Sequence, residues 1–424
     1  MIFSQTFITI IILGTLVGAF IINFIADALN VKHLKPSLPE EFKDHFDDRT
    51  YLKSQNYLKT NTRFGLIVST CNLIVLLAFW FSGGFQIADG FVRSFEKGPV
   101  ISGLIFTAIL LGLKLILSLP FSIYSTFVIE EKFGFNKTTP QLFVTDLVKS
   151  ILLSTLFGGV LLSIIIFLLE SGGPQAWMVC WAAGAVFLIA VQYIVPTWIM
   201  PLFNKFTPLD EGPLKQAILA YADSIDFSLS NVFVMDGSKR SSRSNAFFTG
   251  FGKNKRIVLF DTLIEEQTID ELVSVLAHEM GHFKKHHILK RMAWGIVQMG
   301  VIFYLMSLCI SHVPLFQVFK LEIPSVYAGL IFFSMLYAPV DLLTSIVLQV
   351  SSRKDEYEAD RFAVQTLKKN APLIQALKKL SAHNLSNLTP HPFYVFLNYS
   401  HPPVLDRINT LRQISPSPAD VSRA

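Results

Sequence analysis

Two histidines and a glutamate lie within five consecutive residues of this chain, in the sequence HEMGH from His278 to His282. Residues four positions apart share one face of an α-helix, so the two imidazoles would point in the same direction. Two neutral imidazoles so placed can bind one Zn²⁺ and leave a coordination position for water. Glu279 would lie where it can accept a proton from that water. The sequence therefore indicates half of a zinc peptidase site, although a solvated helix can carry the same residues by chance.

A site of this type needs a third protein ligand, which the segment SSRKDEYEADRFA from Ser351 can supply. Glu356 and Asp360 are one helical turn apart, so one carboxylate could bind the metal while the other supports it from the same face. A carboxylate that accepts the remaining N–H of a ligand histidine fixes the tautomer of that histidine. On spacing alone, Asp355 and Glu358 are competing candidates, and all these carboxylates could instead be solvated charges beside a membrane.

The neighbouring residues limit the type of zinc site. His286 continues the face of His278 and His282 by one more turn, and we expect it beside the site or at the surface. The three-histidine pattern HExxHxxGxxH is absent, because Lys285 and Ile288 stand where its glycine and third histidine would be. A carboxylate is therefore the expected third ligand.

The composition is that of a polytopic membrane protein. Of 424 residues, 51% are hydrophobic and only 16% are charged, which is too apolar for a soluble chain of this length. The three cysteines all fall in apolar runs, and this argues against a disulfide framework or a cysteine metal site. The net charge of +5 is modest, and the basic residues flank apolar runs instead of forming a stripe with aromatic residues. We therefore expect a lipid bilayer, and no nucleic acid, as a partner.

Seven segments are long and apolar enough to cross a bilayer, since each crossing needs about 20 apolar residues. We expect the first to be a retained helix, because no Lys or Arg precedes it as in a cleaved signal. The segments lie near residues 5–28, 64–85, 99–123, 147–169, 176–199, 292–312 and 326–350.

The basic residues predict the orientation of these spans. The loop after the first span is rich in Lys and Arg, whereas the alternate loops are poor in them. Basic residues are retained on the cytoplasmic side, so the N-terminus is predicted outside and the C-terminus inside. The two large polar segments, 200–291 and 351–424, would then face the cytoplasm together. This brings the histidines and Glu356 to the same membrane face.

Five polar residues interrupt the apolar spans. Such residues usually face a bundle interior or water, so a hydrated interior is predicted, with local hydrogen bonding between helices as the alternative. The residues are Lys114, Gln192, Gln298, Asp341 and Gln349.

The polar segments are predicted to form an α+β domain interrupted by the last two spans. A helix is expected over 214–224, a strand over Asn231–Asp236, and a hairpin from strands at 246–251 and 256–260. The domain organisation would then be five spans with their loops over 1–199, the first part of a catalytic domain over 200–291, two spans over 292–350 and its second part over 351–424.

The helix that carries the histidines has a clear start signal. Thr268 and Glu271 form a capping box, which favours a helix beginning at residue 269. No proline interrupts 269–312, so we expect this helix to continue directly into the sixth span.

With these residues in place, the chain resembles a family, the integral-membrane zinc metallopeptidases of the type I CAAX prenyl protease kind. The resemblance implies seven transmembrane helices that enclose a chamber and a gluzincin-like domain with one zinc ion per chain. It further implies that His278, His282 and Glu356 bind zinc, that Glu279 is the general base, and that Asp360 supports the site. The motifs that carry the resemblance are HEMGH, EYEAD at 356–360, EEKFGFNKTT at 130–139, NAFFTGFG from Asn245 and SHPPVLDR from Ser400.

The same resemblance implies how substrate is bound. The strand that holds Asn245 and Ala246 would be an edge to which an extended peptide adds through main-chain hydrogen bonds. His401 would lie near the metal and stabilise the oxyanion, with Arg407 nearby. In the alternative interpretation, His401 and the prolines after it only separate two helices.

The predicted activity is that of a membrane metalloendopeptidase that cleaves near the C-terminus of prenylated CAAX-type or other extended peptides. A quality-control peptidase without prenyl specificity, and a non-catalytic scaffold or transporter, are the alternatives. An intramembrane zinc protease would need Asp341 as a ligand, and the polar residues around HEMGH argue against it. The bacterial inner membrane is the expected location, because the terminal sequence SPSPADVSRA lacks a dibasic retrieval signal; a eukaryotic chain would lie in the endoplasmic reticulum membrane.

Overall fold

The protein is described here by a computed structural model that covers residues 4–229, 231–249 and 256–414. These residues form seventeen α-helices and four β-strands. The helices are α1 (Gln5–Lys32), α2 (Asp48–Phe81), α3 (Gly84–Arg93), α4 (Pro99–Tyr124), α5 (Pro140–Leu153), α6 (Gly159–Ser171), α7 (Ala176–Ile194), α8 (Met200–Phe203), α9 (Pro213–Ser224), α10 (Asp261–Glu266), α11 (Ile269–Lys284), α12 (His287–Cys309), α13 (Val313–Gln317), α14 (Val326–Leu367), α15 (Ala371–His383), α16 (Pro392–Asn398) and α17 (Val404–Gln413). The strands are β1 (Phe206–Pro208), β2 (Asn231–Met235), β3 (Ala246–Thr249) and β4 (Arg256–Phe260).

The predicted number of membrane spans is confirmed. Within the described ranges, seven helical stretches are long and apolar enough to cross a membrane. The third, fourth and fifth contain short π-helical segments, at Ser125–Glu130, Ser154–Gly158 and Val195–Ile199. The seven stretches are Gln5–Lys32, Asp48–Phe81, Pro99–Glu130, Pro140–Ser171, Gly173–Phe203, His287–Cys309 and Val326–Leu367.

The second span differs most from its predicted bounds. It begins at Asp48, well before the apolar run, because the Asp47 carboxylate accepts a hydrogen bond from the Thr50 backbone N–H at 2.6 Å and caps the helix. It ends at Phe81 because Gly83 adopts a positive φ of 85°, which a residue without Cβ tolerates. The polar first half of α2 therefore projects beyond the apolar segment.

The polar segments contain the predicted α+β domain. The sheet has the strand order β1-β2-β4-β3, with β2 and β4 parallel and the other pairs antiparallel. The predicted hairpin is present as β3 paired with β4, and its connection, 250–255, lies outside the described residues, as does 415–424. Strand β3 stands at one end of the order, so one of its edges is left without a strand partner among the described residues.

The helix of the two histidines starts as predicted but does not continue into the sixth span. Thr268 Oγ1 accepts a hydrogen bond from the Glu271 N–H, and Glu271 Oε2 accepts one from the Thr268 N–H. Helix α11 then ends at Lys284, and α12 begins at His287. His286 between them has a φ of 59°, in the left-handed region. The prediction was wrong because the periodicity of a sequence does not reveal a single left-handed residue.

One apolar core joins segments that are far apart in sequence. It includes Phe42 and Phe46 of the first loop, Ile257 of β4, Leu276 of α11 and Leu411 of α17, all almost fully buried. Burial of this apolar surface holds the parts of the peptidase domain together on both sides of the last two spans. The predicted division of the chain at residues 199, 291 and 350 stays a prediction.

Candidate metal centre and active site

Helices α11 and α14 meet at a glycine. A Cβ on Gly281 would lie 3.2 Å from both Cα and the carbonyl oxygen of Ala359, closer than ordinary contact. The absence of that Cβ lets the two backbones approach closely. Helix α14 continues without a break from the seventh span through Leu367, so this contact sets Glu356 opposite His278 and His282.

The three side chains expected to bind the metal converge on one point. His278 Nε2 lies 3.2 Å from His282 Nε2. The carboxylate oxygens of Glu356 lie 3.4 Å from His278 Nε2 and 3.3 Å from His282 Nε2. All three ligand atoms lie within 4.8 Å of one another, and Glu356 is only 3% exposed. The structure thus brings together three side chains from two segments that are far apart in the sequence.

The spacing and the ligand types of this cluster are compatible with a tetrahedral metal site. With zinc–ligand bonds of about 2.0–2.1 Å, neighbouring ligand atoms would lie about 3.3 Å apart, close to the separations above. Glu356 Oε2 is buried without a hydrogen-bond partner. Two imidazole nitrogens and a carboxylate are a ligand set that suits zinc. A cation at this point would satisfy acceptor groups that otherwise face one another.

Asp360 and Arg407 support His278 from behind. His278 Nδ1 lies 2.8 Å from Asp360 Oδ1, so its N–H donates to this fully buried carboxylate and Nε2 is left free to bind a metal. Arg407 donates two hydrogen bonds to the Asp360 carboxylate, at 2.6 and 2.8 Å. Burial and the Arg407 charge lower the pKa of His278, but the contacts with the Asp360 and Glu356 carboxylates outweigh them and raise this pKa to about 9.

His282 has its own support, and sequence reasoning missed it. His282 Nδ1 lies 2.9 Å from Nδ1 of His287, which is 1% exposed. His287 Nε2 in turn lies 3.2 Å from a Glu358 carboxylate oxygen. His286 is exposed at the surface, because the left-handed residue between the helices turns the chain. His287 could be selected from the sequence only if the break between α11 and α12 at His286 were anticipated.

The competing ligand candidates do not reach the cluster's centre. Asp355 Oδ1 lies 3.6 Å from His287 Nε2, and Asp355 also pairs with Arg291 at 3.4 Å. Asp355 and Glu358 thus surround His287, whereas Glu356 alone of the three faces both His278 and His282.

Glu279 and His401 lie at the open side of the cluster. Both line the same cavity as the three candidate ligands. Burial raises the pKa of the partly buried Glu279 carboxyl above its ordinary value, and the nearby Glu356 raises it further, while His278 opposes the shift. His401 Nε2 lies 3.3 Å from Glu356 Oε1, with 65% of its side chain exposed. The cavity therefore presents a partly buried carboxyl and an accessible imidazole beside the metal position.

The predicted substrate strand borders the same cavity. The cavity measures about 450 Å³, and Asn245, Ala246 and Arg407 belong to its lining. Asn245 Oδ1 accepts a hydrogen bond from the Ala246 N–H at 2.9 Å. The strand edge is therefore within the space that holds Glu279, and it has no strand partner among the described residues.

The chain just before this strand is tied to the loop after the third span. Arg243 donates to both Glu130 oxygens, at 2.9 and 3.2 Å, and also to the Tyr57 hydroxyl, which itself donates to Glu130. The Ser242 N–H donates to the Phe135 carbonyl oxygen at 3.1 Å. Thus the EEKFGFNKTT motif holds the start of β3 and lies away from the metal cluster.

Comparison with known proteins agrees with this arrangement in both halves of the chain. Residues 27–205 match the family model described as CAAX prenyl protease N-terminal, five membrane helices, and residues 208–415 match the model of peptidase family M48. The chain belongs to peptidase family M48. A CAAX prenyl protease 1 homolog of Dictyostelium discoideum is 37% identical over 402 residues, which cover 93% of each chain. CAAX prenyl protease 1 of Saccharomyces cerevisiae is 36% identical and covers 89% of each chain.

A solved structure gives the same result for the fold of this M48 peptidase. The chain superposes on the crystal structure of S. mikatae Ste24p with a TM-score of 0.90 and 32% identity, covering 95% of this chain and 99% of the other. The resemblance proposed from the motifs is confirmed, and the protein is a polytopic membrane metallopeptidase. The expected bacterial inner membrane gains no support from these relatives, which are eukaryotic.

Proposed function

We propose that this M48 peptidase is a zinc metalloendopeptidase that cleaves extended peptides ending in a CAAX sequence with a prenylated cysteine. The observation that carries the proposal is the convergence of His278, His282 and Glu356 within 4.8 Å, in a cavity that also contains Glu279 and a strand edge. Its substrate class is inferred from the relatives, whose names describe them as CAAX prenyl proteases.

In this proposal, His278, His282 and Glu356 hold the metal. Bound zinc would supply a Lewis acid that polarises a water molecule and the scissile carbonyl. Asp360 and His287 each pair with the second nitrogen of one ligand histidine, so with metal bound each Nε2 would be unprotonated and directed at the metal position. The chain thereby fixes the ligands before the metal arrives.

Glu279 is proposed to move the proton. As a carboxylate it accepts a proton from the attacking water, and it then donates that proton to the leaving amine. The raised pKa of the Glu279 carboxyl favours the first of these transfers, because a stronger base accepts the proton of water more readily. One residue thus acts as general base and general acid.

His401 and Arg407 are proposed to stabilise negative charge on the carbonyl oxygen. His401 is exposed enough to adjust to substrate, and it can donate a hydrogen bond from its imidazole. The Arg407 guanidinium is buried and held by Asp360, so it contributes a fixed positive charge at the cavity wall. Both groups act on charge that develops during the reaction.

The free edge of β3 is proposed to bind the peptide. A peptide added along Ala246–Thr249 would form main-chain hydrogen bonds that do not depend on most of its side chains, while Asn245 contacts the peptide backbone. An extended C-terminal segment can enter the cavity in this way and a folded domain cannot. The predicted chamber of seven helices would extend the same restriction.

We further propose that the active site faces the cytoplasm. The support is the distribution of Lys and Arg, which is dense between the apolar parts of α1 and α2 and sparse in the alternate loops. For a eukaryotic chain, the corresponding membrane would be that of the endoplasmic reticulum.

Cleavage of matched peptides tests the proposed function. The purified chain is assayed with a prenylated CAAX peptide and its unprenylated counterpart, with and without 1,10-phenanthroline. We expect chelator-sensitive release of the last three residues from the prenylated peptide. Glu279→Gln should retain one zinc ion and lose turnover. Equal cleavage of both peptides would instead favour a peptidase without prenyl specificity, and absence of chelator-sensitive cleavage would favour a scaffold.

A further inference from the structure

A second cavity, lined mostly by cations, lies outside the active site. It measures about 500 Å³ and lies between the polar first half of α2 and the loop after the third span. Five of its nine lining residues are Lys or Arg, and no carboxylate lines it. The lining residues are Arg49, Leu52, Lys53, Asn56, Lys59, Thr60, Arg63, Lys132 and Phe133. We call this cavity the basic cleft.

The helical spacing of α2 produces one wall of the basic cleft. Residues 49, 53, 56, 60 and 63 are spaced by four and three positions, so they share one face of the helix. The other side of the same helix packs into the protein through Tyr51, Ser54 and Gln55, which are buried. Lys53 Nζ would lie 3.7 Å from a Cβ on Gly134, which brings the Lys132 loop against this wall. The cations therefore surround a concave surface and are not spread over a flat one.

These cations lack the partners that other buried or half-buried cations of the protein have. Arg49 is the exception, because Asp47 interacts with it electrostatically. Among the described residues, Lys53, Lys59, Arg63 and Lys132 have no ion pair within 4.0 Å, whereas Arg240, Arg243 and Lys378 each have one. Like charges one turn apart repel one another. A polyanion in the cleft would remove that repulsion.

The position of the basic cleft favours a membrane ligand. The apolar part of α2 begins at Phe64 and contains no charged residue through Phe81, so Arg63 stands at the membrane surface. At 1.5 Å per residue, Arg49 stands about 20 Å further from the bilayer along the helix. A headgroup with a single phosphate would remain near Arg63, whereas one that carries additional phosphates could also reach Lys59 and Lys53.

We propose that the basic cleft binds the headgroup of a membrane lipid that carries several phosphates. Retention of basic residues on one membrane side explains their number, but it does not explain a concave site without carboxylates. Clusters of four to eight cations next to a membrane helix attract anionic lipids. The proposal is independent of zinc and of the proposed peptidase activity, because none of the cleft residues lines the active-site cavity.

Binding of water-soluble short-chain lipids tests this proposal on the full chain in neutral detergent. Affinities are measured for dioctanoyl phosphatidylinositol bisphosphate, dioctanoyl phosphatidylserine and dioctanoyl phosphatidylcholine, with inositol hexakisphosphate as the soluble phosphate. We expect saturable binding of the bisphosphate, at least tenfold tighter than that of phosphatidylserine, and none of phosphatidylcholine. Equal affinity for the two anionic lipids would overturn the proposal, and tighter binding of inositol hexakisphosphate would overturn its assignment to a lipid.

A pair of double variants locates the site. Lys53→Gln with Arg63→Gln removes two exposed cations of the basic cleft, and Lys239→Gln with Lys290→Gln removes the same charge from exposed positions outside it. The first variant should lose at least tenfold in affinity for the bisphosphate, and the second should bind as the wild type does. An equal loss of affinity in both double variants would show that binding depends only on net charge, and this would contradict the proposal. Unchanged thermal unfolding midpoints in detergent alone verify that both variants are folded.

Discussion

His282 Nδ1 lies 2.9 Å from His287 Nδ1, and His287 Nε2 lies 3.2 Å from the Glu358 carboxylate. When His282 Nε2 binds a metal, its N–H is on Nδ1 and donates to His287, which then has its own N–H on Nε2 and donates to Glu358. One consistent tautomer pattern thus runs from the metal position to a carboxylate. The left-handed conformation of His286 is what turns His287 into this position.

Removal of His287 should weaken metal binding. His287→Phe leaves the His282 Nδ1–H without its acceptor, and loss of such a support typically lowers metal affinity 10–100-fold. The measurement is zinc affinity by competition with a chelator of known strength. His286→Phe is the matched control, since His286 is exposed, and it should leave the affinity unchanged. Equal zinc affinity of the His287 variant and the wild type would contradict this role.

Gly281→Ala should separate the two helices that form the site. The added Cβ would meet the Ala359 backbone at 3.2 Å, and backbone yields less readily than a flexible side chain. We expect destabilisation of about 1–3 kcal/mol and weaker zinc binding, because Glu356 moves away from the histidines.

The control for this change is Gly295→Ala, where the nearest atom to a new Cβ is Leu188 Cδ2 at 3.7 Å, an ordinary contact. Thermal unfolding and zinc affinity are measured for both variants. A Gly281 variant that equals the wild type in both would show that the close approach is not required.

The cap of α11 should give a pH-dependent contribution to stability. Burial raises the pKa of Glu271, but hydrogen bonds from Lys379 and from Thr268 outweigh it and hold this pKa below its ordinary value. The folded pKa lies below the unfolded value of about 4.3, so the stabilisation is complete above that pH and is lost as the pH falls through the folded pKa. Glu271→Gln should therefore lower the unfolding temperature at pH 7 and have less effect near pH 4.

Glu265→Gln provides the comparison, since Glu265 is exposed on the preceding helix. Unfolding temperatures are recorded for both variants and the wild type from pH 7 to pH 4. If the deficit of the Glu271 variant stayed constant over this range, the ionised carboxylate would not be its cause.

Glu130→Gln should weaken substrate binding more than it slows the chemical step. The Glu130 carboxylate holds Arg243 two residues before Asn245, and neither Glu130 nor Arg243 lines the active-site cavity. Weakening this pair should let the start of β3 move, so KM for a peptide rises several-fold while zinc content and kcat change little. Glu131→Gln is the matched control, because Glu131 is exposed and its carboxylate accepts a hydrogen bond only from Asn136 among the described residues. A fall in kcat with unchanged KM would refute a positioning role.

Sequence reasoning identified what depends on residue type and spacing. The spans follow from hydropathy, the start of α11 from Thr268 and Glu271, and the clustering of Glu356 with the histidines from the need for a third ligand on the same membrane face. It missed what depends on one backbone conformation. The left-handed conformation of His286 ends α11, so this helix does not continue into the sixth span. As a result His287, and not His286, lies beside the site.

Zinc content tests the central claim most directly, that His278, His282 and Glu356 form one metal site. Zinc is quantified per chain in the purified wild type, in Glu356→Gln and in Glu265→Gln, whose carboxylate is exposed outside the site. The proposed ligand set predicts one zinc per chain for the wild type and for Glu265→Gln, and well below one for Glu356→Gln after mild chelation. A full equivalent of zinc retained by Glu356→Gln under that treatment would contradict the claim.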